Sequence, residues 1–187
     1  MNILAIDTTG RHLTIALKHN NQWKSKFSKE CNLNHSVVLN NQIQRLLDEK
    51  GLTFHDIDIY ACNVGVGSFT GIRVGISTIK GFCMASPKKL VSVNTFEILA
   101  YNEKDKVDVL VPDNRGFYVA TFSDGQQICP PCHVTEKPDS PRQVIFDDET
   151  DYSQKFTSLI DEKISKNIFA DSLEPLYIRK SQAEENR

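Results

Sequence analysis

Gly65-Val66-Gly67-Ser68-Phe69-Thr70-Gly71-Ile72-Arg73-Val74-Gly75-Ile76-Ser77-Thr78-Ile79-Lys80-Gly81-Phe82 is the stretch that decides the fold. An apolar strand at residues 57–63 feeds it, so Gly65 and Gly67 read as the positive-φ turn of a sharp strand-to-helix loop. Ser68 or Thr70 can cap the helix that follows. Glycine inside a helix costs about 1 kcal/mol relative to alanine, so Gly71 and Gly75, at i and i+4, must be offset by a close approach. With Ser77 and Thr78 they form a stripe poor in side chains. A neighbouring helix, a second subunit, packing within the fold or a phosphate could each lie against it. The spacing Gly-x-Gly-x-x-x-Gly fits neither the dinucleotide fingerprint nor the P-loop.

Outward from this loop, the chain reads as an α/β protein. Residues 2–7, 13–17 and 23–27 are strands with short links, hence antiparallel neighbours. Residues 34–50 carry a helical stripe of Leu39, Ile43, Leu46 and Leu47, with Asn34 or Ser36 as cap and Gly51 as stop. A helix at that point makes the strand at 57–63 return parallel to the first. After Pro87 come a short strand at 90–93 and a helix capped by Asn94. The polar run Asn102-Glu103-Lys104-Asp105-Lys106 then places a boundary between residues 1–104 and 105–187. The second part holds strands at 107–111 and 117–122, a turn at Asp124-Gly125, a helix at 154–164 and a strand at 168–170, a reduced repeat of the first.

The charge divides unevenly. Of 22 Lys+Arg and 24 Asp+Glu, residues 1–104 hold 12 and 8 and residues 105–187 hold 10 and 16, which is +4 against −6. No basic stripe of the kind that grips a nucleic-acid backbone is present, so direct, unaided tRNA or DNA binding is not expected. No apolar run approaches the ~20 residues of a membrane span, and Asp7 comes too early for a secretory signal, so a cytoplasmic protein is expected. The cysteines Cys31, Cys62, Cys83, Cys129 and Cys132 are odd in number and irregularly spaced, against a disulfide framework. Cys62 and Cys83 read as small buried hydrophobes. Cys129-Pro130-Pro131-Cys132-His133 has the spacing of c-type haem attachment or half a zinc site, but no second Cys/His pair lies near it, and a tight turn between strands is expected instead.

Candidate chemistry is sparse. Asp7 ends the first strand before Thr8 and Thr9, where an acid serves either as a magnesium- or phosphate-facing group or as a turn former. His35 has Leu39 four residues on, so no His-x-x-x-His pair exists; His12, His19, His55 and His133 are scattered. Gly67-Ser68-Phe69 lacks the pattern of a nucleophile elbow. No catalytic residue and no metal site is assigned.

The segment 65–75 closely resembles the signature of the TsaB (YeaZ) family. Four further segments fall in that family's order: Ile3-Leu4-Ala5-Ile6-Asp7-Thr8-Thr9, His35-Ser36, Val93-Asn94-Thr95-Phe96-Glu97-Ile98-Leu99-Ala100, and Pro175-Leu176-Tyr177-Ile178-Arg179. The chain departs from the family at Val66, where proline is usual, and in a shorter second half. The resemblance implies an actin-like ATPase and sugar-kinase fold of two ribonuclease-H-like halves, the second reduced. It further implies a non-catalytic subunit that pairs with TsaD for threonylcarbamoyl transfer to the adenosine beside the tRNA anticodon. TsaE joins the larger complex, a homodimer forms when the chain is alone, tRNA is met only indirectly, and ATP and metal sit on the partners. The expected contact is a four-helix arrangement of residues 35–50 and 70–82, through His35, Leu39, Ile43, Thr70, Gly71, Val74, Gly75 and Thr78. On that basis Gly75→Leu should block partner binding and leave the chain folded. A weaker nucleotide set is Asp7, Thr8, Thr9, Gly65, Gly67 and Ser68. The competing expectation is an ATP-dependent phosphotransferase or ATPase of the same superfamily, built on Asp7 and the 65–70 loop. A glycoprotease would need metal ligands that the sequence does not offer.

Overall fold

The computed structural model describes residues 1–29, 31 and 35–179. Its first sheet contains β1 (Ile3–Asp7), β2 (Leu13–His19), β3 (Gln22–Ser28), β4 (Ile59–Asn63) and β5 (Lys89–Val93), in the order β3-β2-β1-β4-β5. β1, β2 and β3 are antiparallel, while β4 and β5 run parallel to β1. The parallel strands are covered on both faces, which is why β1 and β4 read as unbroken buried runs rather than as alternations.

Helices α1 (His35–Asp48) and α2 (Phe69–Ala85) cover one face, packing Leu39, Ile43, Ile72, Ile76 and Ile79 on Leu4, Ile6, Leu13 and Ile15. Asn34 lies outside the described residues, and Ser36 lies inside the helix rather than at its cap. A short turn at Phe54–Asp56 delays the strand expected at 57 until Ile59. The short helix α3 (Thr95–Ala100) joins the halves: Ile98 faces the first sheet, whereas Phe96, Leu99 and Ala100 pack on the second. Asn94 and Glu97 close a reciprocal capping box at its start.

The second sheet is built on β6 (Lys106–Asp113) and β7 (Gly116–Ser123), antiparallel to each other, with β10 (Gln143–Ile145) parallel to β6. On the other edge of β7 lie β8 (Gln126–Gln127) and β9 (Cys132–Val134). Two antiparallel pairings followed by a parallel strand repeat the pattern of the first half. The helix that α1 supplies there has no counterpart between β9 and β10. The chain is thus an α/β protein of two halves built on a similar strand pattern, the second reduced.

Three expectations for the second half change. The strand placed at 168–170 contributes only an antiparallel bridge from Ala170 to Leu90, on the first sheet. The last helix, α4 (Ser153–Ser165), also packs on the first sheet, burying Phe156 and Ile160 against Ile3, Ala5 and Ala16. Each such side chain contributes about 1.5–3 kcal/mol when fully buried, so the far face of the first sheet, and not the second, holds this helix. The Cys-Pro-Pro-Cys run is a bulge rather than a turn. β8 and β9 follow one edge of β7, with Gln127 opposite Phe122 and Cys132 opposite Val119, so five steps on one strand meet three on the other. Pro130 and Pro131 bring no N–H and interrupt the ladder there. Cys62 is buried as expected, Cys83 is half-buried, and Cys129 and Cys132 are exposed.

Candidate functional site

The ends of β1, β4 and β5 meet in a buried polar network. Asp7 Oδ1 accepts hydrogen bonds from the Thr9 backbone N–H (2.9 Å) and from Thr9 Oγ1 (2.7 Å), and Asp7 Oδ2 accepts one from Asn63 Nδ2 (2.9 Å). Asn63 Oδ1 in turn accepts from the Gly65 N–H (3.1 Å), and Thr95 Oγ1 donates to the Val66 carbonyl (2.6 Å). Asp7 therefore shapes the loop before α2 from below.

His12, only 2% exposed, adds a cation to this network. Its Nε2 lies 3.7 Å from Asp7 Oδ2 and its Nδ1 3.3 Å from Asp148 Oδ1. The ring is flanked by Phe27 and Phe146. Burial on its own would lower the imidazole, but the two carboxylates outweigh it and raise His12 to about 10. Burial likewise opposes ionisation of Asp7, yet His12, Asn63 and the Thr9 N–H bring it down to about 2. An imidazolium thus sits between two carboxylates and ties the β1–β2 turn of the first half to the 146–148 loop of the second. The Arg11 N–H also donates to Asp148 Oδ1 (2.7 Å). Gly10 makes this possible, because a Cβ there would overlap Asp148 Oδ1 and come 2.6 Å from His12 Nδ1. Gly10→Ala is expected to push Asp148 off the imidazole and to cost about 1–3 kcal/mol by denaturant unfolding. An unchanged midpoint would show that the contact is not held in solution.

The glycine stripe of α2 faces inward. A Cβ on Gly71 would overlap the Thr8 carbonyl oxygen, and one on Gly75 would come 2.6 Å from Thr8 Oγ1 and 3.4 Å from Cys62 Sγ. Thr8 Oγ1 donates to the Gly71 carbonyl at 2.6 Å, and the Ser68 N–H donates to the Thr9 carbonyl at 2.6 Å. Ser68, not Thr70, caps α2, its Oγ accepting from the Gly71 N–H. The backbone that the stripe admits is therefore the chain's own residues 8 and 9. Of the expected contact set, Gly71, Gly75, His35, Leu39 and Ile43 are buried within the chain, with His35 Nε2 2.8 Å from the His12 carbonyl. Val74 and Thr78 are half-buried, and Thr70 is exposed. The outer surface of the two helices carries Val37 (67% exposed) and Met84 (87%) instead, with Ser77 and Gly81, whose Cβ would meet nothing within 4 Å. Val37 stands near the start of α1 and Met84 at the end of α2, each an apolar residue off the buried stripe of its helix.

Between the halves lies a cavity of about 640 Å³, walled by the β1–β2 turn, the start of α2 and the β6–β7 turn. Of the weaker nucleotide set, Thr9, Gly67 and Ser68 line it, whereas Asp7, Thr8 and Gly65 are buried outside its lining. Its arginines, Arg11, Arg73, Arg115 and Arg179, come from four separate segments that no local pattern connects. His133 points to Asp113 (3.4 Å) and approaches Arg179, rather than completing a site with Cys129 and Cys132. Among the described residues no cluster of three His, Cys, Asp or Glu is disposed to hold a metal ion, and no helix is long and apolar enough to cross a membrane.

Residues 28–115 match the family model for TsaD, tRNA N6-adenosine threonylcarbamoyltransferase. The TsaB tRNA threonylcarbamoyladenosine biosynthesis protein of Buchnera aphidicola subsp. Baizongia pistaciae is 32% identical over 99 residues, covering 52% of this chain and 44% of that protein. Escherichia coli TsaB is 31% identical over 100 residues, covering 54% and 43%. The matches thus span less than half the length of these curated relatives. Among solved structures, YeaZ from Pseudomonas aeruginosa superposes with a TM-score of 0.77 at 21% identity, covering 94% of this chain and all of that one. A Pseudomonas aeruginosa protein described as similar to peptidase YeaZ gives 0.79 at 22%, covering 95% and 99%. These two likenesses carry the fold across nearly the whole chain.

Proposed function

From its likeness to TsaB proteins, we propose that the chain is a member of the TsaB/YeaZ family and a non-catalytic subunit of tRNA threonylcarbamoyladenosine biosynthesis. Its role is to bind TsaD and support threonylcarbamoyl transfer to the adenosine beside the anticodon, with TsaE joining the larger assembly. The observation that supports this reading is the exposure of apolar side chains on the outer sides of α1 and α2. Met84, at the end of α2, stands exposed with small Ser77 and Gly81 in the turns before it, and Val37 stands exposed at the start of α1, apolar positions open to another protein surface. The same helix faces are open to a second copy of the chain, because an isologous contact can be imitated by a related partner. RNA contact is left mainly to the partner, in keeping with a chain of net charge −2 and no basic stripe. The phosphotransferase alternative needs Asp7 to face substrate or metal, but its carboxylate is engaged by Thr9, Asn63 and His12.

The test is co-purification with TsaD, followed by threonylcarbamoyladenosine formation with and without this chain. Met84→Glu and Val37→Glu, both on exposed positions, are expected to abolish co-purification and leave the melting temperature within a few degrees of the parent. Undiminished binding by both variants would move the contact elsewhere. No gain in modification when the chain is added would overturn the proposed role. ATP hydrolysis by the isolated chain, lost on Asp7→Asn, would favour the phosphotransferase instead.

A further inference from the structure

In the bulge between β8 and β9, the Ile128 N–H donates to the Thr121 carbonyl at 2.9 Å, and Cys132 stands opposite Val119. Cys129, Pro130 and Pro131 therefore share the place of one residue, opposite Ala120. Thr121 and Val119 are two residues apart on β7, about 7 Å at the rise of a strand. The four Cα–Cα steps from Ile128 to Cys132, roughly 15 Å of contour, are folded into that span. The three middle residues are looped out, with Cys132 at one foot of the loop and Cys129 one step from the other. Gln127 Nε2 holds that other side by donating to the Cys129 carbonyl at 2.9 Å. Pro130 and Pro131 have no N–H with which to tie the loop down. Both cysteines are exposed, whereas Cys31 and Cys62 are buried and Cys83 is half-buried. His133, the next residue, turns to Asp113 (3.4 Å) and to the Tyr118 ring, and successive strand residues face opposite ways. The bulge thus presents a pair of thiols without a third ligand.

We propose that Cys129 and Cys132 are a reversible modification site, closing to a disulfide by exchange with a low-molecular-weight disulfide. A disulfide needs about 4.4–6.8 Å between Cα atoms, the scale of the neck into which the bulge is folded. The thiolate of one cysteine attacks a sulfur of the small disulfide, releasing one small thiolate and leaving a mixed disulfide on the protein. The second cysteine gives its proton to solvent and attacks the protein sulfur of that mixed disulfide, releasing the other small thiolate. One small disulfide is reduced to two thiols, and two protein thiols are oxidised to one disulfide. In a reducing compartment the pair rests as thiols and closes only under oxidant, which is the usual form of a disulfide there. The pair lies at the edge of the second sheet, whereas α1 and α2 pack on the first, so its chemistry is independent of the proposed partner contact.

Incubation of the whole folded chain with glutathione disulfide in mildly alkaline buffer, followed by an acid quench and peptide mass spectrometry, tests the site. The parent peptide carrying both cysteines is expected to lose the mass of two hydrogens, to retain no glutathione, and to recover its thiols in dithiothreitol. Cys129→Ser and Cys132→Ser, both at exposed positions, should each retain one glutathionyl group on the remaining cysteine. Because the second step is intramolecular, half-oxidation of the parent pair should need about tenfold less glutathione disulfide than half-modification of either variant. Cys31 and Cys62 should stay as thiols throughout, and circular dichroism establishes that each variant is folded. A chain unfolded in urea and oxidised in parallel shows what the sequence alone permits. Closure only in urea, glutathione retained on both cysteines of the folded parent, a disulfide between two chains, or no reaction at millimolar oxidant would each overturn the proposal.

Discussion

Gly71→Ala is expected to abolish folding of the isolated chain, or to lower its stability by more than about 3 kcal/mol, the upper range for overpacking a rigid site. The added methyl would overlap the Thr8 carbonyl oxygen, which is backbone at the end of the central strand and has no rotamer to swing away. Retreat of the helix would break the Thr8 Oγ1 bond to the Gly71 carbonyl and the Ser68 N–H bond to Thr9 together. Ser68→Ala, which removes only the cap, should cost about 1 kcal/mol and serves as the scale. Gly75→Leu is expected to behave like Gly71→Ala, losing the fold and not merely a partner, because Gly75 faces Thr8 and Cys62. Soluble yield and thermal melting by circular dichroism decide it. A Gly71→Ala protein that melts with the parent would mean that the helix can shift without cost.

Replacing His12 is expected to remove most of the pH dependence of stability between about pH 6.5 and 10. The folded imidazole is held at about 10 against an ordinary value of 6.5, so its contribution is fully present below 6.5 and is lost as pH rises through 10. Within that window stability should fall by up to about 1.4 kcal/mol per pH unit in the parent, and His12→Asn should be nearly flat. Asp7 works in the other direction. Lowered to about 2 from 3.8, it stabilises above 3.8 and is lost as pH falls through 2. At neutral pH His12→Asn leaves two carboxylates without their cation and should cost about 3–5 kcal/mol, the usual penalty for breaking a buried pair. Urea unfolding of parent and variant at several pH values checks both parts. Parallel parent and variant curves would show that His12 is neutral in the fold.

Much of the first half is legible in local pattern. The period-3.6 stripe Leu39, Ile43, Leu46 and Leu47 gives α1, the apolar run ending at Asp7 gives β1, and Asn94 with Glu97 three residues on gives the start of α3. The second half is read less well, for a physical reason. β8, β9 and β10 have two or three residues each, too few for a period to emerge, and α4 draws its burial from the first sheet, whose last strand ends at Val93. The fold class survived these errors because strand direction follows from connection length, and the long connections all lie in the first half.

The sequence by itself determined that a sharp glycine loop opens a helix, that two glycines one turn apart require a close neighbour, and that the chain resembles the TsaB/YeaZ family. Tertiary structure alone decided which neighbour it is. The backbone against Gly71 lies 63 residues away at Thr8, and the carboxylate that helps to charge His12 lies 136 residues away at Asp148. Helical and strand periods are properties of adjacent residues and can be read in order along the chain. A steric vacancy or a proton affinity is a property of whatever the fold brings into contact, and nothing local in the sequence fixes that.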